Sequence, residues 1–418
     1  MKVRIRPSRL KGCVRAPASK SMAHRLLIAA ALSDGVSVLR GTEINEDVQA
    51  TIDCLRLLGA RIEEQDGTLY VQSHGLSLPE DVIFPLRESG STFRFLVPVT
   101  LMIGGKARFQ GSERLMERGI RVYEDLFREK GIRVIHETDP AGALRTEKDA
   151  ENKGISLLVE GQLRPGVYRL PGGFSSQFIS GLLFALPCLT GDSRIEIIPP
   201  VESNPYIGLT MDTLRRFGVE TARENETLIH VAGGQHFHPA DLMLEGDWTN
   251  GAVLLALRSL GHEVTVEGLD PKSHQGDRAF LDFEKELKKE AFSQIDLRDT
   301  PDLAPVLFVL ASVWNGAVFT GIERLRLKES DRLTAMAEEL RKFGVEIETH
   351  EHSVVILPSL LHAPLETLKS HNDHRVVMAL ALLMSIYGGE IDGAEAVRKS
   401  FPGFFDVLKE LGAIIAAG

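Results

Sequence analysis

Hydrophobic runs long enough to cross a membrane are missing from this sequence of 418 residues. Its longest apolar runs, at 303–314 and 376–386, fall well short of the ~20 residues that a spanning helix needs. The N-terminal Met-Lys-Val-Arg-Ile-Arg alternates basic and apolar residues, so it indicates a strand rather than a signal peptide. We therefore expect a cytoplasmic protein with no membrane partner.

Cysteine is scarce, and metal-ligand spacings are absent. Cys13, Cys54 and Cys188 are far apart and show no C-x-x-C spacing, which excludes a zinc motif and a disulfide framework. They are interpreted as packing residues. His236 and His238 are spaced like neighbours on one face of a strand, but no third ligand lies nearby in the sequence. The sequence thus predicts no metal site.

An excess of basic charge is also lacking. The formal net charge is −10, whereas general affinity for nucleic acid needs a basic surface that displaces counterions. We expect no nucleic-acid partner. The 43% hydrophobic and 25% charged residues are typical of a globular protein rather than a disordered one. The length favours two domains at roughly 100 to 200 residues each.

A signature that recurs along the chain is the end of an amphipathic helix, a glycine, and the start of a β-branched strand. The glycine supplies the left-handed residue that ends a helix. One copy is common in any α/β protein, but five copies indicate repetition, and residues 283–290 could hold a degenerate sixth. We expect six units, three in each half. The five glycines are Gly59, Gly131, Gly218, Gly344 and Gly412.

Apolar helical segments separate these copies, at about two helices per unit. They lie near 21–33, 91–103, 175–189, 248–260, 303–313 and 373–387. The stretch 232–239 is punctuated by Gly and Pro and is the best internal boundary. We expect a hinge there.

Polar residues stand at the starts of several of these helices. Lys20, Ser21 and Arg25 open the first one, where free N–H groups and the helix dipole suit a phosphorylated ligand. The alternative is a capped helix with a solvated basic first turn. The Gly-rich run of a P-loop is missing before Lys20. Residues 87–94 repeat the theme with hydroxyl groups around a glycine, which indicates an anion cradle or an ordinary N-cap. Residues 172–177 open another helix and suit a neutral, hydroxyl-rich substrate as well as a phosphate.

Two later segments carry carboxylates among cations. Residues 327–332 read Leu-Lys-Glu-Ser-Asp-Arg, which is either a solvated charged turn or an acid or base flanked by cations. Residues 372–375 read Asn-Asp-His-Arg before a very apolar helix, and Lys399 precedes a further helix start. Together these helix starts predict a positive pocket for a multiply anionic ligand set.

These segments, in this order, resemble the motifs of the EPSP synthases. The resemblance rests on residues 19–25, 175–177, 328–332, 372–375 and 399–402, and it covers almost the whole chain. It implies an α/β fold, a two-domain inside-out α/β barrel with three βαβαββ repeats in each domain. The C-terminal-half domain would comprise 1–18 and 239–418, the N-terminal-half domain 19–238, and the cleft between them the active site.

The activity that the resemblance implies is transfer of the enolpyruvyl (carboxyvinyl) group of phosphoenolpyruvate to the 5-hydroxyl of shikimate 3-phosphate. Addition and elimination would yield 5-enolpyruvylshikimate 3-phosphate and phosphate, on the route to chorismate and the aromatic amino acids. Asp302 would be the base, Glu329 the proton donor, and Lys20 a further catalytic residue. We expect no cofactor, no metal and a monomer.

The resemblance also implies the binding residues. Shikimate 3-phosphate would be held by Lys20, Ser21, Arg25, Ser175, Ser176, Gln177, Ser203, Asp302 and Lys328. Phosphoenolpyruvate would contact Lys20, Gly90, Arg118, Gln177, Arg332, Arg375 and Lys399.

The family pattern is not met everywhere. Glu88, Gly119, Asn204 and Arg324 stand where other residues are usual, and no role is carried to them. One alternative is the sister enolpyruvyl transferase acting on UDP-N-acetylglucosamine, but its expected loop cysteine is missing from 110–118. The other is a non-catalytic anion-binding homologue, which would be expected to lose Asp302 or Glu329.

Overall fold

The protein forms two compact units in the computed structural model, which describes residues 1–137 and 156–417. The split unit comprises Met1–Ser19 and Glu245–Gly418, and the continuous unit comprises Lys20–Leu244. The second crossing thus lies at 244–245 rather than at the 238–239 expected from the Gly- and Pro-rich stretch. The reason is that Asp241–Met243 pairs with a strand of the continuous unit. No described helix is both long and apolar enough to span a membrane.

The chain begins with two strands of the split unit and then enters the continuous unit. The two strands are β1 (Lys2–Arg6) and β2 (Lys11–Arg15). The helices and strands of the continuous unit are α1 (Lys20–Leu32), β3 (Asp34–Arg40), α2 (Glu46–Leu57), β4 (Arg61–Gln65), β5 (Thr68–His74), β6 (Ile83–Arg87), α3 (Gly90–Ile103), β7 (Gly105–Gly111), α4 (Glu113–Arg118), α5 (Arg121–Glu129), β8 (Arg133–Glu137), β9 (Ser156–Gly161), β10 (Val167–Pro171), α6 (Ser176–Ala185), β11 (Ser193–Ile198), α7 (Asn204–Arg216), β12 (Thr221–Asn225), β13 (Leu228–Val231) and β14 (Asp241–Met243).

The chain then returns to the split unit. Its remaining helices and strands are α8 (Trp248–Ser259), β15 (Glu263–Glu267), α9 (Phe280–Leu287), β16 (Ser293–Asp296), α10 (Ala304–Val313), β17 (Ala317–Thr320), α11 (Arg332–Arg341), β18 (Ile347–Thr349), β19 (Ser353–Ile356), β20 (Leu368–Lys369), α12 (His374–Tyr387), β21 (Gly389–Asp392), α13 (Phe404–Glu410) and β22 (Ile414–Ala417). Short 3-10 helices lie at Leu186–Cys188, Gly276–Ala279, Pro301–Leu303, Glu323–Leu327 and Ala394–Lys399.

Three sheets of the continuous unit share one topology. Their strand orders are β14-β3-β5-β4, β6-β7-β9-β8 and β10-β11-β13-β12. In each sheet the first two strands are parallel and the remaining pairs are antiparallel. This is the βαβαββ repeat, and the first copy is completed by β14 from the end of the unit.

The split unit contains two complete repeats and one shorter one. Sheets β16-β17-β19-β18 and β20-β21-β1-β22 have the same order and strand directions as above, with β1 supplied by the N-terminus. The third sheet consists of β15 and β2 in parallel. The predicted fold is confirmed. Among the described residues, the shorter repeat has no antiparallel strand pair.

The glycine signature ends the second helix of a repeat and precedes its antiparallel strand pair. All five glycines have φ between +72° and +99°; four are followed at once by the first strand of a hairpin, and Gly412 is followed by β22, which pairs with β1 from the N-terminus. That backbone region is open to Gly at no steric cost, so it ends the helix and turns the chain. Residues 288–292, after α9, contain no glycine and lead directly to β16. The repeat that lacks this glycine after its second helix is thus the repeat whose described sheet has two strands.

The first helix of each repeat forms the interior. Helices α1, α3 and α6 in one unit, and α8, α10 and α12 in the other, are buried on nearly all sides. A helix that is apolar all round has to be covered by other elements. The strands expose alternate residues to solvent. Within each unit, the polar starts of these helices are thus held by a rigid core.

Candidate active site

Arg332, the first residue of α11, is the centre of a charged cluster in the split unit. Its side chain is 2% exposed. The guanidinium donates from Nε to Asp373 Oδ2 at 2.7 Å, from Nη1 to Asp302 Oδ1 at 2.5 Å and from Nη2 to Glu329 Oε2 at 2.6 Å. Burial lowers the pKa of Arg332, but the three carboxylates raise it well above its usual range. The residue is a permanent cation that holds three acidic side chains in place.

Asp302 lies in the 3-10 helix immediately before α10 and accepts from a second cation. Lys328 Nζ is 3.0 Å from Asp302 Oδ1. Burial raises the pKa of Asp302, but Lys328, Arg332 and Arg375 outweigh it and hold that pKa well below its usual range. Burial lowers the pKa of Lys328 to about 8, against the opposing effect of Asp302. Asp302 is therefore ionised and can accept a proton.

Asp373 connects this cluster to the start of α12. Its carboxylate caps the helix by accepting from the Arg375 backbone N–H at 2.9 Å, and it also accepts from Ser330 Oγ at 3.0 Å. Arg375 Nη1 donates to Asn250 Oδ1 at 2.7 Å, and Lys399 Nζ donates to the carbonyl of the residue before Asp373 at 2.6 Å. Two further cations are thus fixed around the same helix start.

A second buried carboxyl group, Asp277, lies on the short 3-10 helix before α9. It accepts a hydrogen bond from Thr249 Oγ1 and is 1% exposed. Burial, followed by the charge of Asp302, raises its pKa to about 6, although Thr249 and Arg375 act in the opposite direction. Asp277 therefore loses its proton only near pH 6, whereas Asp302 stays ionised to much lower pH.

Arg25 is the buried cation at the start of α1 in the continuous unit, and it is 2% exposed. It donates to neutral oxygens, at 2.8 Å from Thr210 Oγ1, 2.7 Å from the Ser21 carbonyl and 3.2 Å from the Tyr206 carbonyl. Its guanidinium carbon is 5.1 Å from the Phe95 ring centroid. Burial lowers the pKa of Arg25 to about 10. The charge is costly in the folded state and favours binding of an anion.

A second group of side chains in this unit converges on Gly90, the first residue of α3. Arg94 Nη1 donates to Gln177 Oε1 at 2.6 Å, and Gln177 Nε2 donates to Ser91 Oγ at 2.9 Å. A Cβ placed on Gly90 would lie 2.9 Å from Arg94 Nη1, 3.6 Å from Arg118 Nη2 and 3.7 Å from Gln177 Oε1. Gly90 therefore keeps open the space that two arginines and an amide surround.

Lys20 and the serines complete the continuous unit's polar set. Lys20 Nζ forms a salt bridge with Asp47 Oδ2 at 2.9 Å. Ser175 caps α6 by accepting from the Gln177 N–H, and Ser176 is buried in its first turn. Ser203 has φ +53° at the start of α7, in the turn whose Tyr206 carbonyl accepts from Arg25. These groups offer hydroxyls and cations to a polar ligand.

Comparisons with known proteins agree over the full chain. A family model for EPSP synthase (3-phosphoshikimate 1-carboxyvinyltransferase) matches residues 5–408. A 3-phosphoshikimate 1-carboxyvinyltransferase of Clostridium kluyveri is 37% identical over 436 residues, which cover 99% of this chain and 98% of that protein. Its counterpart in Clostridium acetobutylicum is 37% identical over 434 residues, which cover 98% and 97%. The chain belongs to the EPSP synthase family.

Solved structures show the same fold. An EPSP synthase of Acinetobacter baumannii superposes with a TM-score of 0.77 at 22% identity and covers 100% of both chains. The enolpyruvyl transferase NikO from Streptomyces tendae has a TM-score of 0.75 at 16% identity, with 99% of this chain and 98% of that chain covered. The EPSP synthase resemblance drawn from the sequence motifs is confirmed, and so is the fold.

The EPSP synthase motif residues fall into two groups. The split unit contains Asp302, Lys328, Glu329, Arg332, Arg375 and Lys399, and the continuous unit contains Lys20, Ser21, Arg25, Gly90, Arg118, Ser175, Ser176, Gln177 and Ser203. In the split unit, Arg332 contacts Asp302 and Glu329, and Lys328 contacts Asp302. The charge of Arg375 also acts on Asp302. The individual roles of these residues stay predictions.

Several residues around these groups have no role that the sequence predicts. Asp47 pairs with Lys20, Arg94 holds Gln177, and Asp373 holds Arg332. Asp373 and Arg94 lie inside the polar helix starts, at the capping position and one turn into a helix. No motif marks Asp47 or Asp277, because each meets its partner from a distant segment.

Of the departures from the family pattern, Gly119 has φ +50° and its carbonyl accepts from Arg94 Nη2 at 3.4 Å.

Proposed function

We propose that this member of the EPSP synthase family transfers the enolpyruvyl group of phosphoenolpyruvate to the 5-hydroxyl of shikimate 3-phosphate. The carboxylates of the split unit move the protons, and the cations and hydroxyls of the continuous unit hold much of the substrates' anionic and polar surface. The observation that carries the proposal is Arg332, a buried guanidinium that holds Asp302 and Glu329 in one cluster.

The first step is an addition. Asp302 accepts the proton of the 5-hydroxyl while that oxygen forms a bond to C2 of the enol. Glu329, which has to be protonated for this step, delivers its proton to C3, so the π electrons of the double bond become the new C3–H bond. The product is a tetrahedral intermediate that still carries the phosphate on C2. Asp302 suits this role because its neighbouring cations keep it ionised.

The second step is an elimination. The bond between C2 and the phosphate oxygen breaks, C3 returns one proton to Glu329, and the double bond forms again. The phosphate leaves with the proton that Asp302 accepted, so the acid and the base are both regenerated. Lys20, Arg118 and Lys399 lower the barrier by stabilising the charge of the leaving phosphate and the carboxylate of the donor.

The low pKa of Asp302 makes it a weak base until the substrates arrive. Lys328 and Arg332 hold that pKa down, and the same two cations are assigned to substrate anions. A bound phosphate or carboxylate shares their charge and weakens their hold on Asp302. We expect the pKa of Asp302 to rise when both substrates are bound, towards the range in which a base is effective.

The binding residues follow the family pattern. Shikimate 3-phosphate is assigned to Lys20, Ser21, Arg25, Ser175, Ser176, Gln177, Ser203, Asp302 and Lys328, and phosphoenolpyruvate to Lys20, Gly90, Arg118, Gln177, Arg332, Arg375 and Lys399. The assignment to Arg25 is supported by a buried charge that rests on neutral oxygens. The assignment around Gly90 is supported by the space that arginines and an amide surround. A cytoplasmic monomer in which both units act on one pair of substrates remains our expectation.

The test is phosphate release from phosphoenolpyruvate in the presence of a chelator, with shikimate 3-phosphate or UDP-N-acetylglucosamine as acceptor. We expect release only with shikimate 3-phosphate, and its loss in Asp302→Asn. The matched control is Asp296→Asn, an exposed carboxylate in the strand before Asp302 that pairs with Arg298. Release only with the nucleotide sugar, or from Asp302→Asn at the rate of the wild type, would contradict the proposal.

A further inference from the structure

We propose that Glu339 is a positioning residue for the reaction. It lies on α11 and fixes the turn formed by His371 and Asn372, which in turn orients Arg332 and Lys399. The inference rests on the proposed function, because it concerns how those two cations reach their working geometry.

Glu339 is a buried carboxylate surrounded by donors. It is 1% exposed. Its Oε1 lies 3.0 Å from His371 Nε2, and its Oε2 accepts from the Lys369 N–H at 2.9 Å and from Lys342 Nζ at 2.8 Å. Burial raises the pKa of Glu339, but His371 and Lys342 outweigh it and lower that pKa below its usual range. Glu338 lies close enough for these groups to resemble a cation site, but protein donors already occupy the Glu339 carboxylate.

The turn that Glu339 contacts has a left-handed backbone. His371 and Asn372 have φ of +49° and +54°, a region that is uncommon for residues other than Gly, although Asn and His adopt it more often than most. Two hydrogen bonds around Ser370 close the turn, from the Asn372 N–H to its hydroxyl at 3.1 Å and from the Asp373 N–H to its carbonyl at 3.0 Å. The bond from His371 to Glu339 supplies an anchor outside the turn itself.

The turn and the residue after it touch two cations assigned to the substrates. The Asn372 carbonyl accepts from Lys399 Nζ at 2.6 Å, and the Asp373 carboxylate accepts from Arg332 Nε at 2.7 Å. Arg332 and Glu339 stand two helical turns apart on α11, which places them on the same face. Helix α11 therefore contacts this segment at two points: Arg332 binds Asp373, and Glu339 binds His371.

The first experiment compares Glu339→Gln with Glu338→Gln in steady-state phosphate release. Glu338 is the matched control, since its side chain is 53% exposed and lies 3.9 Å from the same His371 nitrogen. We expect Glu339→Gln to lower kcat at least tenfold and to raise the KM for phosphoenolpyruvate, because Arg332 and Lys399 are assigned to that substrate. The KM for shikimate 3-phosphate should stay within twofold. Glu338→Gln should match the wild type.

A second pair of variants separates positioning from general stability. His371→Ala and His371→Gly both remove the imidazole, but glycine adopts the left-handed conformation at this position more readily than alanine does. We expect the kcat of His371→Gly to be at least fivefold higher than that of His371→Ala. Equal kcat in this pair, or Glu339→Gln indistinguishable from Glu338→Gln beside an active wild type, would overturn this inference alone. An inactive wild type would overturn the proposed function and the inference with it.

Discussion

Two buried arginines, one in each unit, occupy opposite electrostatic settings. Arg332 in the split unit contacts three carboxylates, which raise its pKa. Arg25 in the continuous unit donates to a hydroxyl and two carbonyl groups, and burial lowers its pKa to about 10. A cation matched by carboxylates positions acids and bases, whereas a cation held by neutral groups is ready for an anionic ligand. On the proposed function, the split unit supplies the carboxylates that transfer protons, and Arg25 of the continuous unit binds a substrate anion.

Removing Arg332 should have the largest effect on folding. Arg332→Met leaves Asp373 buried without its cation and releases Asp302 and Glu329. We expect a loss of about 3–5 kcal/mol in the free energy of unfolding, measured in urea, together with loss of phosphate release. Arg326→Met is the control, because Arg326 is 42% exposed and lies at the edge of the same motif. Unchanged stability in Arg332→Met would show that the carboxylates do not depend on this cation.

Lys328 should set the alkaline limit of activity. Its pKa of about 8 means that it loses its charge above that pH, and shikimate 3-phosphate then loses an assigned cation. We expect kcat/KM for that substrate to fall about tenfold per pH unit above pH ~8. In Lys328→Arg the charge persists, so the alkaline limb should move to higher pH. If the alkaline limb stays at the same pH in Lys328→Arg, the loss of activity is not caused by deprotonation of Lys328.

The lowered pKa of Lys328 also predicts how the free energy of unfolding changes with pH. The folded pKa of Lys328 lies below the usual value for lysine, so the unfolded chain binds more protons between pH ~8 and ~10.5. The contribution of this residue to the free energy of unfolding therefore increases with pH across that window. Comparison of urea unfolding at pH 8 and pH 10 in the wild type and Lys328→Met isolates it. A wild type that gains no more stability than the variant over this window would contradict the shift.

Ionisation of the buried Asp277 should lower the free energy of unfolding by a smaller amount. Its folded pKa of about 6 lies above the usual value, so the folded state binds more protons between pH ~4 and ~6 and loses stability as the pH rises through that window. Asp277→Asn removes this loss, and we expect it to raise the free energy of unfolding at pH 7 by about 1–2 kcal/mol. The exposed Asp282→Asn serves as control. A destabilised Asp277→Asn would mean that the ionised form is favoured.

Removing Arg25 should change folding least. Arg25→Met eliminates a buried charge, which is favourable, but leaves the Thr210 hydroxyl and two carbonyl groups without this donor. Because the two effects oppose each other, we expect the free energy of unfolding to stay within about 1 kcal/mol of the wild type. Urea unfolding beside Arg332→Met measures the contrast. Equal losses in the two variants would remove the distinction between the units.

The sequence predicted the features that are encoded locally. Five glycines marked switches from helix to strand because a left-handed backbone is a property of single residues, and the six interior helices followed from apolar runs. The strand Asp241–Met243 was missed because three residues carry too little pattern. The pairing of Arg332 with Asp373, and the burial of Asp277 against Thr249, depend on segments far apart in the chain. Only the packed fold brings those groups together.

The proposed roles of Arg25 and Asp302 can be tested by calorimetric titration of shikimate 3-phosphate into Arg25→Met and Asp302→Asn, with phosphate release measured on the same samples. The account predicts that Asp302→Asn binds shikimate 3-phosphate within about tenfold of the wild type, because the amide oxygen still accepts a hydrogen bond, but turns over at least a thousandfold more slowly. It predicts that Arg25→Met loses at least tenfold in affinity while remaining folded. Wild-type affinity in Arg25→Met, or wild-type turnover in Asp302→Asn, would contradict it.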